Sequence, residues 1–160
     1  MPRDTQIESV AKAVGKIPSG LAVLTAVYGE RATAMLASWI QQASFEPLMV
    51  TVCVKRGRPI ESLLDDSGRF VLNILGGEPK TLLKHFARGF AADADAFAGL
   101  DVTNSEYGVM LNDAVARIEC AVVGKVSAGD HFVYLGEARG GSADQAAQPH
   151  VHIRKTAAGY

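Results

Sequence analysis

The chain has 160 residues, 48% of them apolar, and sets 16 Lys and Arg against 17 Asp and Glu for a formal net charge of −1. That length suits one domain spanning residues 1–160, with a core that needs no disulfide or metal staple. The even charge offers no field to draw in nucleic acid, and no apolar run approaches the roughly 18 to 20 residues of a membrane span.

The first expected element is an amphipathic helix over Thr5–Ile17, where Ile7, Val10, Ala11 and Val14 recur at helical spacing before Pro18 and Gly20 stop it. Leu21–Tyr28 reads as a strand, Gly29 and Glu30 as a turn, and Arg31–Ser38 as the returning partner of a hairpin. The run Leu48–Val54 suits a strand buried on both faces. Beyond Pro59, the stripe Ile60, Leu63 and Leu64 makes a short helix ending near Gly68, and Phe70–Leu75 is the next strand.

Pro79–Phe90 carries Leu82, Leu83, Phe86 and Phe90 at helical spacing, with Lys80, Lys84 and Arg88 on the outer side. Three more β segments follow at Ala114–Val126, Phe132–Ala138 and His150–Ile153, with Gly140–Pro149 read as a mobile polar loop. The links between strands are too short for the crossover helices of a parallel sheet. The expected fold is therefore mainly β with peripheral helices, an antiparallel sheet closing into a barrel.

Neither GxGxxG nor GxxxxGK[ST] follows a strand, and GxSxG, HExxH and Cys-rich metal spacings are absent. Cys53 and Cys120 lie in apolar runs without CxxC spacing and read as reduced core thiols, as in a cytoplasmic protein with no signal peptide or anchor. His150 and His152 share a strand face, but two ligands fall short of a metal site.

Residues 34–47, AMLASWIQQASFEP, combine small residues that admit a flat ligand, the hydroxyls of Ser38 and Ser44, and the ring of Trp39. A flavin needs that mixture of apolar wall and donors, and an ordinary strand and bend accommodates it equally.

The run ASWIQQASFEP, then FVLNIL at 70–75, KHFARGF at 84–90, FAGL at 97–100, IEC at 118–120, GDH at 129–131 and HIRK at 152–155 resembles the flavin reductase-like family. It is especially similar to the C-terminal flavin reductase domain of diflavin flavoproteins. The resemblance spans residues 18–160 and implies a homodimeric FMN-binding split β-barrel that reduces its flavin with NADH or NADPH; FAD in place of FMN is left open.

By that resemblance Leu36, Ala37, Ser38 and Trp39 lie along the isoalloxazine ring, while Ala43 and Ser44 belong to the segment that binds the ribityl phosphate. Lys55 and Arg88 are either phosphate partners or solvated charges. His85 and Phe86 border the flavin, although Phe86 also fits a core stripe. His131 belongs near the nicotinamide or else stabilises the Asp130 turn. Gln42 stands where many relatives have a hydroxyl. No catalytic acid, base or nucleophile is expected, because hydride passes directly between nicotinamide and flavin. The metallo-β-lactamase-like and flavodoxin-like domains of diflavin flavoproteins do not fit this length, so the implied acceptor is separate: free flavin, a monooxygenase or another redox protein. A flavoredoxin-like carrier without an NAD(P)H step, and a non-catalytic flavin- or haem-binding protein, are the rival readings.

Overall fold

The computed structural model describes residues 2–157. Its elements run α1 (Pro2–Val14), β1 (Ala22–Tyr28), β2 (Arg31–Ala37), β3 (Ile40–Phe45), β4 (Leu48–Lys55), α2 (Ile60–Ser67), β5 (Arg69–Ile74), α3 (Lys80–Phe86), β6 (Val102–Asn104), β7 (Val109–Leu111), β8 (Ala116–Ala128) and β9 (His131–Ala143). Seven strands form one antiparallel sheet in the order β2-β1-β5-β8-β9-β4-β3, and β6 pairs with β7 apart from it.

The sheet curls into a barrel but does not close, which corrects the expected closure. Antiparallel pairing throughout an odd-numbered sheet leaves its edge strands, β2 and β3, running in the same sense. Pairing them would need a parallel crossover connection. Ser38 and Trp39 alone join them, by a bend, and the barrel stays split at that seam.

Side-chain alternation along β1 places the core on both of its faces. Ala22, Leu24 and Ala26 point into the barrel with Phe70, Leu72, Cys120 and Tyr134, where α2 adds Ile60, Leu63 and Leu64. Leu21 and Val23 point outward into a second cluster beneath α3, with Leu82 and Phe86. Each of the Leu, Ile, Val and Phe side chains, fully buried, contributes about 1.5–3 kcal/mol. Gly68 ends α2 in the left-handed conformation, its N–H donating to Leu64 O.

Two buried polar residues fasten β6–β7 over the outer face. Thr25 Oγ1 donates to Val109 O at 2.7 Å and accepts from Val109 N at 3.0 Å. Asn73 Nδ2 donates to Val23 O and Val109 O, and its Oδ1 accepts from Leu111 N at 2.8 Å. A β-carbon on Gly108 would stand 2.9 Å from Thr25 Oγ1, so this approach requires glycine.

Several expectations change at the periphery. The stripe on α1 exists, but Ile7 and Val10 are 62% and 56% exposed: the helix is tied near its C-terminal end, where Ala157 N donates to Ala11 O. α3 stops at Phe86 rather than Phe90, and Gly89 takes a positive φ just beyond. β4 alternates between buried Val52 and Val54 and half-buried Thr51 and Cys53, so only one face is fully covered. β9 continues through Ala143, shortening the polar loop, and Asp144 N pins that loop to Val115 O. His150–Ile153 forms no strand; its pairing is an isolated bridge between His152 and Ser19. Cys53 and Cys120 are free thiols, and burial, with Glu119 alongside, pushes the Cys120 pKa up to about 12.

Candidate functional site

Where β2 gives way to β3, four distant segments enclose a cavity of about 500 Å³. β2 supplies Met35 and Leu36, the seam Ser38, the turn before α2 Arg58, and α3 Leu83, Phe86 and Ala87; residues 152–156 complete the wall. Much of that lining is apolar. Upon it converge three cations, Arg58, Arg154 and Lys155, and among the described residues no Asp or Glu lines the cavity. A hydrophobic slot edged by positive charge suits a flat ring carrying a phosphate.

Local structure explains how each cation arrives. Arg58 follows Gly57, whose φ of 79° lets the chain turn from β4 toward α2. Its guanidinium lies against Gly89, where a β-carbon would stand 3.3 Å from Arg58 Nη1. Arg154 is carried by the C-terminal segment, which Ser19 and His152 hold by paired backbone bonds of 3.0 and 2.7 Å.

Arg154 also leads to a neighbouring aromatic group. Its guanidinium carbon lies 4.9 Å from the centroid of the Trp39 ring, and that ring lies 4.6 Å from the imidazole of His131 at a tilt of 42°. His131 is buried, and its Nδ1 lies 2.7 Å from Asp130 Oδ1. That hydrogen bond, the largest influence, holds the Asp130 carboxyl below its ordinary range. Against a carboxylate, which only accepts, Nδ1–H is the donor of that bond.

The residues expected from sequence divide into three groups. Leu36, Ser38 and Phe86 line the cavity. Trp39 and His131 join it through Arg154, and Lys55 is the cross-strand partner of His131. The others stand outside the lining. Ala37 points into the barrel core; exposed Ala43 is the unpaired residue of a bulge in β3, with half-buried Ser44 next to it. His85 donates from Nε2 to Ala96 O at 2.8 Å and packs against Phe86 and Phe90, while Arg88 is exposed.

Arg58, Arg154 and Lys155 were not among the expected site residues, and His152 was weighed only as half of a metal pair. The HIRK run was visible, but only folding brings it beside β2 and α3. His150 and His152 have ring centroids 6.5 Å apart, with His150 Nδ1 donating to Gly77 O, and among the described residues no three His, Cys, Asp or Glu groups cluster as metal ligands. No helix among them is long and apolar enough to cross a membrane.

A split antiparallel barrel with a cation-edged slot at its seam is thus the class of protein in hand. The model of the flavin reductase like domain matches residues 14–159. Diflavin flavoprotein A 1 of Synechocystis is 43% identical over 147 residues, covering 90% of this chain; the chain spans only 26% of that relative's length. Among solved structures, the NADH:FAD oxidoreductase of Streptomyces globisporus superposes with a TM-score of 0.85 at 25% identity, covering 97% of this chain and 91% of that one. The same enzyme solved with NAD and FAD fragments gives 0.81, covering 97% and 91% at 25% identity. The styrene monooxygenase flavin reductase of Pseudomonas putida gives 0.75 at 26% identity, covering 89% and 90%. The chain belongs to the flavin reductase-like family.

Proposed function

We propose that this protein is an NAD(P)H-dependent flavin reductase that holds FMN at the seam cavity, with the phosphate at Arg58, Arg154 and Lys155. The observation that carries this reading is the convergence of those three cations on an otherwise largely apolar slot. Support comes from the Streptomyces neighbour, solved with NAD and FAD fragments.

A bound flavin would supply the redox centre, two-electron chemistry with a dihydronicotinamide that no side chain here provides. The protein's own part is to bind and orient. Met35, Leu36 and Phe86 give the ring an apolar wall, and Ser38 presents a hydroxyl at the seam. Trp39 and His131 form an aromatic ledge beside the slot, a flat surface that would receive the nicotinamide.

The protein acts as a homodimer in the cytoplasm and delivers its electrons to a separate acceptor. Titration of FMN, followed by quenching of flavin fluorescence, tests the site. Saturable binding that is weakened by Arg154→Ala supports the assignment; no binding at millimolar FMN contradicts it. A parallel titration with FAD separates the two flavins.

A further inference from the structure

The hairpin of β8 and β9 is the longest in the sheet, and its tip is exposed from residue 125 to residue 130, whereas His131, the next residue, is buried. The strand beside it, β4, ends at Lys55, the partner of His131, so the ladder gives no support beyond that point. A tip of this kind is ordinarily mobile. Here it carries Asp130 and His131, and with them one half of the aromatic ledge.

Arg56, the first residue beyond β4, takes hold of that tip. Its backbone N–H donates to Asp130 O at 3.0 Å. Its side chain donates from Nε to Gly129 O at 2.9 Å and from Nη2 to Ser127 Oγ. The guanidinium carbon also lies 3.9 Å from the centroid of the Phe132 ring. The planar fork thus engages residues on both sides of the turn, a geometry that a lysine ammonium, a single point of charge, does not reproduce. Arg56 is anchored in its own turn, where Gly57 N–H donates to Glu61 Oε2 on α2 at 2.9 Å. Two residues after Arg56, the same turn delivers Arg58 to the seam cavity.

We infer that Arg56 is a positioning residue for the nicotinamide: by clamping the β8–β9 turn it holds His131 against Trp39, and it acts on the reaction through that imidazole. The inference rests on the proposed use of the Trp39–His131 ledge by the nicotinamide. One short turn then serves both halves of the reaction, Arg58 toward the phosphate of the flavin and Arg56 toward the surface that orients the electron donor. As a contribution to stability the exposed Arg56 contacts are worth little. A clamp on a flexible tip acts on geometry instead, to which an orienting surface is sensitive.

Two measurements on Arg56→Ala test it, one of them free of flavin. The ring protons of His131 lie in the ring current of Trp39, the chain's only tryptophan, so their NMR shifts report the contact; His131→Asn identifies them among the four histidines. In the flavin-free protein, Arg56→Ala is expected to move those shifts toward the values of an unstacked imidazole. In the FMN-saturated protein it raises KM for the nicotinamide nucleotide by about three- to tenfold, more than it changes kcat, and leaves FMN affinity within about twofold. Arg56→Lys keeps the charge but not the fork, and behaves as Arg56→Ala in both measurements; circular dichroism melts check that each variant folds. Unmoved His131 shifts, or an Arg56→Lys variant indistinguishable from the wild type, overturn the clamp. Moved shifts with an unmoved KM would instead remove the nicotinamide from the ledge, and with it the part of Arg56 in the reaction, so the two failures are told apart.

Discussion

Trp39 and His131 lie ring against ring, their centroids 4.6 Å apart, one at the seam after β2 and the other at the start of β9. The contact ties the split edge of the barrel to a buried imidazole whose proton is positioned by Asp130. If this ledge receives the nicotinamide, His131→Asn raises KM for the nicotinamide nucleotide by about tenfold through loss of the ring surface, while FMN affinity is unchanged. Steady-state kinetics alongside FMN titration checks it. A variant that loses FMN binding instead places His131 in the flavin site.

Arg58 and Arg154 reach the same cavity from segments far apart in the sequence. A charge-assisted hydrogen bond to phosphate is worth about 1.5–3 kcal/mol, so Arg58→Ala and Arg154→Ala each lower FMN affinity by about ten- to a hundredfold. Lys155 is exposed, and its replacement by Ala costs less. Ser44→Ala, on β3 outside the lining, leaves affinity within about threefold. Riboflavin, which lacks the phosphate, binds the wild type and both Arg variants alike; a difference among them would remove the phosphate from the account.

Gly136 on β9 faces the Phe70 ring, and a β-carbon there would also stand 3.0 Å from Cys120 Cβ. The barrel interior has no space for it. Gly136→Ala is expected to destabilise the protein by about 1–3 kcal/mol, read as a lower urea midpoint at unchanged slope.

Burial, followed by the nearby charges of Arg154 and His150, holds His152 below its ordinary value of 6.5. The unfolded chain therefore binds a proton where the folded chain does not, and stability falls as pH drops through about 6.5 toward the folded value. Above that window both states are neutral and the group contributes nothing. His152→Gln should lose less melting temperature than the wild type between about pH 7.5 and pH 5.5. Equal losses would show that His152 does not titrate in that window.

The elements legible in sequence were those with strong periodicity or sharp punctuation. Gly29 marked the first hairpin, Pro59 and Gly68 bracketed α2, and FVLNIL announced β5. β3 went unread because its Gln41-Gln42 pair is polar on an exposed edge and Ala43 breaks the period with a bulge. The three-residue strands β6 and β7 carry almost no pattern of their own, and Thr25 and Asn73, which hold them down, look like ordinary strand residues until the fold brings them together. The site followed the same rule. Leu36, Ser38 and Phe86 came from recognisable runs, whereas Arg58 and Arg154 meet only because β4 and the C-terminal segment converge beside α3.

Anaerobic addition of NADH or NADPH to the FMN-loaded protein tests the central claim most directly. The oxidised flavin absorbance is expected to fall in one kinetic phase, faster than for free FMN under the same conditions, and to return on admitting oxygen. Retention of the oxidised spectrum with both nucleotides, in a protein shown by titration to be saturated with FMN, would contradict it.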